Sequence, residues 1–200
     1  VIRYPALAVT GGVGCGKSEV GRILERIGVA VLDSDAVAHR LLRESPEVRE
    51  AVVRLCGSGV RGADGELDRA AIAARVFADD AMRKELEAIL HPRVREAIET
   101  WRATWRARGA CAALIPLLFE AGFDTGWDAI WCVAARDDVA AARLAARGWT
   151  PEQIEARRKA QWPTAEKAAR ADATIENNGS LEELESLVKR LWRSLEKRSR

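Results

Sequence analysis

Short unbroken apolar runs alternate along this chain with longer stretches in which apolar residues recur every three or four positions. Ala6-Leu7-Ala8-Val9-Thr10, Val29-Ala30-Val31-Leu32 and Cys111-Ala112-Ala113-Leu114-Ile115 are runs of the first kind. So are Ala129 to Ala134 and Ala173-Thr174-Ile175-Glu176. Runs this short, without apolar/polar alternation, predict strands buried on both faces. Val20, Ile23, Leu24 and Ile27 follow the second pattern and predict an amphipathic helix. Helical spacing returns over Ala36 to Leu42, around Val48 to Leu55, from after Asp68 through Phe77, and from about Asp80 to Arg106. A break or kink is expected at His91-Pro92, because proline removes a backbone donor. Further helices are predicted over Asp137 to Arg147, from Pro151 behind a Thr150 N-cap, and from Ser180 through Leu195. Ser180 with Glu183 forms a capping box. Gly57-Ser58-Gly59 and Gly62-Ala63-Asp64-Gly65 mark a turn-rich segment. The charged tail from Glu196 to Arg200 reads as a frayed helix end. Strands separated by helices predict an α/β fold of three layers, a mostly parallel sheet covered on both faces.

Composition narrows the picture only slightly. The 200 residues suit one domain, or a core with inserted subdomains. Basic and acidic groups nearly balance, 32 against 30 for a net +2, so charge gives no argument for a nucleic-acid partner. Cys15, Cys56, Cys111 and Cys132 are widely spaced, without a C-x-x-C pair. Neither a zinc ribbon nor a disulfide framework is expected, and a reducing cytoplasm is the simplest setting. No apolar run reaches transmembrane length, and no membrane partner is expected. The tryptophans, including Trp101, Trp105, Trp127 and Trp131, are expected to pack rather than stack on bases.

The chemistry begins at Gly11. Gly11-Gly12-Val13-Gly14-Cys15-Gly16-Lys17-Ser18 is a complete G-x-x-x-x-G-K-[ST] phosphate-binding loop. Gly11 and Gly16 permit backbone conformations that let consecutive N–H groups surround phosphates. Gly12 and Gly14 are not demanded by the motif. Cys15 reads as a small tolerated side chain. Lys17 supplies positive charge for the outer phosphates, and the Ser18 hydroxyl suits a magnesium ion travelling with ATP. The strand before the loop and the helix after it argue against a chance glycine-rich turn, and the helix N-terminus favours the same anion.

Such a loop specifies a nucleotide, not a reaction. Asp33-Ser34-Asp35 follows the second strand, and ligands of parallel sheets bind beyond the carboxyl ends of strands. If the segment is extended, both carboxylates share one side. One of them can then deprotonate an attacking hydroxyl. Asp35 has a second reading as a helix N-cap. Glu120 ends the segment after the third strand. It is a candidate for the magnesium shell or the acceptor, or else it caps a following helix. The run from Leu114 to Phe119 reads as core and pocket wall. His91 is a pH-sensitive group, a ligand for substrate phosphate, or a structural imidazole at a helix-breaking turn, and His39 belongs on a helix face. Arg143 and Arg147, four apart, share a helical face that either folds over a triphosphate or stays solvated. Arg157 and Gln161 repeat that spacing. A lid arginine finds its partner on the nucleotide, so removing Arg143 is expected to lower turnover more than it lowers stability. Asn177-Asn178-Gly179 is a turn, with Asn177 a candidate contact for the adenine base.

Taken in order, these motifs resemble those of the dephospho-coenzyme A kinase family. The resemblance runs from about Leu7 to Leu195. It is carried by Val9 to Ser18, Asp33-Ser34-Asp35, His91-Pro92, Pro116-Leu117-Leu118-Phe119-Glu120, Arg143-Leu144 with Arg147, Arg157 and Gln161, and Ala171-Asp172 with Asn177-Asn178-Gly179. It departs at Ala142, where the family often has Gln, and at Arg158, where the family is apolar. Fine contacts of the lid are the part this puts in question. The resemblance implies a P-loop kinase fold over residues 1–200, with a helical acceptor-binding region near 36–108 and a lid near 137–165. It implies transfer of the ATP terminal phosphate to the ribose 3′-hydroxyl of dephospho-coenzyme A, with Mg²⁺. Asp33, Lys17 and Arg143 would then be catalytic, Asp33 as the base. Gly12, Val13, Gly14, Cys15, Gly16, Lys17, Ser18, Arg143, Arg147 and Asn177 would bind ATP, with Ser18 on the metal. Asp33, Asp35, His91, Leu117, Phe119 and Glu120 would meet the acceptor. A nucleotide monophosphate kinase and a nucleotide-dependent regulatory switch are the alternatives. Oligomeric state is open.

Overall fold

The computed structural model describes residues 4–62 and 64–198, without the side chains of residues 77 and 78. Ala63 of the expected turn, and Ser199 and Arg200 of the expected tail, lie outside them. In chain order the elements are β1 (Ala6–Gly11), α1 (Lys17–Arg26), β2 (Ala30–Asp33), α2 (Ser34–Glu44), α3 (Pro46–Cys56), α4 (Arg69–Ala78), α5 (Asp80–Arg106), β3 (Cys111–Leu114), β4 (Ala129–Ala134), α6 (Asp137–Ala145), α7 (Pro151–Lys159), α8 (Thr164–Arg170), β5 (Ala173–Glu176) and α9 (Leu181–Arg198). A short 3₁₀ turn spans Ser58–Val60. Contacts divide the chain into two units, Val1–Asp33 with Thr100–Arg200, and Ser34–Glu99.

The first unit is built on one sheet of order β2-β3-β1-β4-β5. Every neighbouring pair is parallel. β1 sits at the centre and is buried along its whole length, which is why Ala6 to Val9 carry no polar side chain. Alternation along the strands gives the sheet two unlike faces. One carries Leu7, Val9, Leu114, Trp131 and Val133. These pack against Val20, Ile23 and Leu24 of α1 and Val188, Trp192 and Leu195 of α9. Trp131 meets Trp192 edge to face at 6.4 Å, so the tryptophan of the fourth strand is core, as its pattern suggests. The other face offers small residues, among them Ala8, Thr10 and Cys132, and α8 packs there against β1 and β4. Helices therefore lie on both faces of a parallel sheet.

The second unit has its own core. Val48, Val52, Cys56, Val60 and Ile72 are buried together, with Leu86, Ile89 and Leu90 packed against them. Its helices begin where the sequence provides caps. Ser45 Oγ accepts from Val48 N at 3.3 Å, with Pro46 in the first turn of α3. Asp68 accepts from Ala70 N and Ala71 N at 2.9 and 3.1 Å to start α4.

Four expectations are corrected. α5 runs unbroken for 27 residues through Pro92. Proline deprives Ala88 of its usual helical donor, but the Arg93 side chain donates to the next carbonyl, Ile89, at 2.8 Å. Leu86 and Leu90 before it and buried Val94 and Ile98 after it hold both halves. The proline cost of roughly 3 kcal/mol is offset by that packing. α6 ends at Ala145, so Arg147 lies in the following turn and is exposed rather than sharing a helical face with Arg143. Gln161 likewise lies past the end of α7. No helix follows Glu120; Pro116 to Gly122 form turns, and the capping alternative for Glu120 falls.

Candidate active site

In a parallel sheet every strand ends on the same edge, so residues far apart in sequence arrive together. β1 ends in the phosphate loop, β2 in Asp33, β3 in the Pro116–Glu120 segment and β5 in Asn177. Asp33 pairs with Leu114, and Leu114 with Val9. Asp33 thus stands two strand spacings, roughly 10 Å, from the β1 root of the loop. It is half-buried. The structure also corrects the paired-carboxylate geometry. The chain turns helical at Ser34, placing Asp35 in the first turn of α2 and not on an extended strand with Asp33, nor at the N-cap.

The loop is tighter than its motif requires. Gly14 has φ +75°, and a Cβ there would sit 2.7 Å from the Ala140 carbonyl. A Cβ on Gly12 would collide with the Thr164 hydroxyl. Beyond what the motif demands, the surroundings here leave no room for a side chain at Gly14 and crowd one at Gly12. Lys17 Nζ donates to the carbonyls of Gly11 and Gly12 at 2.9 and 2.8 Å, which lays the ammonium along the loop. Ser18 is exposed in the first turn of α1. Gly16 is the helix N-cap and provides no side-chain cap.

Asn177 does more than turn the chain. It is 5% exposed. Its Nδ2 donates to the Cys15 carbonyl at 2.8 Å, and its own N–H donates to Ala134 O at 2.8 Å. Arg143 donates to the Asn177 backbone carbonyl at 3.0 Å and to its Oδ1 at 3.4 Å. Arg143 is thereby fixed over the phosphate loop, with a protein partner already in place. Asn178 Oδ1 accepts from Arg136 N at 2.7 Å and ties the same turn to the start of α6.

Glu120, after β3, is tied to the segment between α7 and α8 and to α8 itself. Its Oε1 accepts from Trp162 N at 2.8 Å and meets Lys167 Nζ at 2.7 Å. Lys167, at 0% exposure, also donates to Pro116 O at 2.6 Å. Nothing in the sequence pattern marked this lysine, since its buried position on α8 runs against its residue type. Glu120 Oε2 and Gln161 Oε1 are buried acceptors without a protein donor among the described residues. Gln161, Trp162 and Thr164 line a cleft of about 580 Å³ with Gly12, Val13 and Cys15.

Residues 6–183 match the family model described as CoaE, dephospho-CoA kinase. The chain belongs to the dephospho-CoA kinase family. It is accordingly an ATP-dependent phosphotransferase acting in the final step of coenzyme A synthesis. A dephospho-CoA kinase of Symbiobacterium thermophilum is 43% identical over 94% of this chain and 80% of its own length. One from Geobacter sulfurreducens is 39% identical over 93% of this chain and 96% of its own. A crystal structure from Thermus thermophilus superposes with a TM-score of 0.80 at 39% identity, covering 96% of this chain and 98% of that one.

The remaining dephospho-CoA kinase motifs divide between chemistry and scaffolding. Asp172 exchanges two backbone-directed bonds with Ile130, at 2.7 and 2.8 Å, and so seats β5 against β4. Phe119 is buried, and its ring stacks on Trp162 at 6.2 Å. Leu117 is half-buried, as is Arg157. Arg158 pairs with Asp137 Oδ1 at 3.2 Å and links α7 to the start of α6. His91 lies in the second unit, its pKa held below the usual imidazole value mainly by burial. His39 is exposed on α2, 2.7 Å from Arg69. Burial raises the Cys111 and Cys132 thiols to about 11, so neither forms an appreciable thiolate at neutral pH.

Proposed function

We propose that ATP lies on the loop from Gly12 to Ser18 and that Asp33 is the base for the incoming ribose 3′-hydroxyl of dephospho-CoA. The hydroxyl gives its proton to the Asp33 carboxylate as its oxygen attacks the terminal phosphorus. The bond from that phosphorus to the β–γ bridging oxygen breaks, and ADP leaves. Lys17 exchanges its two carbonyl partners for phosphate oxygens. Arg143 presents its guanidinium to the same oxygens, its direction set by Asn177. Arg147 and Arg157 are proposed as further phosphate contacts from the lid side. Asn177 holds the loop through Cys15 and borders the adenine.

Ser18 would hold a magnesium ion, which would neutralise charge developing on the phosphates. Among the described residues no group of three His, Cys, Asp or Glu side chains is placed to hold a metal. That fits an ion carried chiefly by nucleotide oxygens and its own waters. Glu120 and the Leu117–Phe119 segment are proposed to border the acceptor. The unpartnered Oε2 of Glu120 is an acceptor suited to a hydroxyl or an ion-bound water. Asp35 and His91 are proposed as acceptor contacts from the sequence pattern alone. A cytoplasmic location belongs to the same reading. All four cysteines are free and buried, and no helix of the described residues is long and apolar enough to cross a membrane.

The observation that carries this reading is the arrival of the loop, Asp33, Glu120 and Asn177 at one edge of a single parallel sheet. Incubation with ATP and a panel of hydroxyl acceptors tests it, with products weighed by mass spectrometry. Dephospho-CoA should gain one phosphoryl group at the ribose 3′ position. Preferential phosphorylation of a nucleoside monophosphate would overturn the acceptor assignment.

A further inference from the structure

We propose that Lys167 is a positioning residue of the transfer reaction. Its buried ammonium fixes Glu120 and, through Glu120, the joint between α7 and α8 that lies along the phosphate loop. An ammonium is strongly hydrated, and burying it is favourable only when a counter-charge and further acceptors replace its water. A leucine or methionine would cover the same face of β1 and β4 without that cost, so packing alone does not account for the charge.

What the charge contributes is geometric. Glu120 Oε1 receives both Lys167 Nζ, at 2.7 Å, and Trp162 N, at 2.8 Å. Pro116 O receives Lys167 Nζ at 2.6 Å and Thr10 Oγ1 at 3.3 Å. The segment after β3 is therefore a shared anchor: its Pro116 carbonyl takes the ammonium and the Thr10 hydroxyl at the root of the phosphate loop, and its Glu120 takes the ammonium and Trp162 N of the α7–α8 joint. That joint carries Gln161 along the cleft wall shared with Gly12 and Val13. It also carries Thr164, against which Gly12 packs with no room for a Cβ. The distance between the joint and the loop is set at Lys167. Misplacement of catalytic groups by about 1 Å can cost on the order of 10²-fold in rate.

The proposal rests on the dephospho-CoA kinase reading for its assay. Lys167→Met, Glu120→Gln and the double variant would be compared at saturating ATP and dephospho-CoA, below the melting temperature of each. Lys167→Met should lower kcat by roughly 10- to 10²-fold. The double variant should turn over no more slowly than the worse single variant, because Lys167 acts through Glu120. Its melting temperature should exceed that of Lys167→Met, since no buried carboxylate is left without a counter-charge. A folded Lys167→Met protein with the parent kcat overturns the proposal, and so do losses that multiply. Amide exchange on the unsubstituted protein decides the matter if the variants do not fold. The Trp162 N–H should be strongly protected without any ligand, and exchange at the rate of an open loop would overturn the proposal. Failure of the parent to phosphorylate dephospho-CoA would instead count against the function and leave that exchange test standing.

Discussion

Lys17 and Arg143 both stand at the phosphate loop, but the free protein uses them differently. Lys17 bonds the carbonyls of Gly11 and Gly12, partners that it is proposed to exchange for phosphate oxygens. Lys17→Ala should therefore cost about 10²–10³-fold in kcat and little in melting temperature. Near-parent turnover in a folded variant would remove Lys17 from the chemistry. Arg143 instead pins Asn177, which in turn holds the Cys15 carbonyl. Arg143→Ala should lower kcat and also cost about 1–2 kcal/mol in urea unfolding, because the expected absence of a partner in the free protein is corrected by the bonds to Asn177. An unchanged unfolding midpoint would show that the Arg143–Asn177 link contributes nothing to the folded state. His91 adds a pH dependence. Its folded pKa lies below the unfolded value of 6.5, so on acidification the unfolded chain takes up the proton first. Stability from this group is full above about pH 6.5 and falls as pH drops toward the folded value. His91→Gln should flatten the stability profile between about pH 5 and 7, as measured by unfolding at each pH. A slope equal to that of the parent would contradict the assignment.

At the scale of elements, α5 offers the clearest test. Pro92 is exposed and leaves Ala88 without its helical donor. Pro92→Ala should raise stability by about 1–3 kcal/mol and lift the melting temperature. A lower melting temperature would mean that the helix is fitted to the proline. The misreading at this position has a physical cause: a helix breaker is a local signal, and the packing of Leu86, Leu90, Val94 and Ile98 that overrides it is not. Local signals decide the structure where nothing opposes them. Thr150 and Gln153 form a reciprocal cap, and Ser180 with Glu183 forms another. The α8 helix escaped because it is seven residues long, starts after Pro163 without a side-chain cap, and buries a lysine.

The whole molecule turns these local features into a site by making all five strands parallel. Much of the site was legible because Gly11, Asp33 and Asn177 each stand at or just after the end of an apolar run, and parallel strands share one carboxyl edge. What sequence could not show were partnerships made across that edge. Asn177 meets Cys15 and Arg143, and Lys167 meets Glu120, across separations that no periodicity records. Asp33 is where topology bears most directly on the proposed chemistry, because the β2-β3-β1 order sets this carboxylate two strand spacings from the root of the loop, on the same edge of the sheet. Single-turnover transfer from ATP to dephospho-CoA by Asp33→Asn, with ATP affinity measured on the same preparation, tests that claim directly. The transfer rate should fall by about 10²–10⁴-fold while ATP binds as in the parent, since the loop is untouched. Transfer at the parent rate would show that Asp33 is not the base, and a loss of ATP binding in its place would assign the carboxylate to the nucleotide.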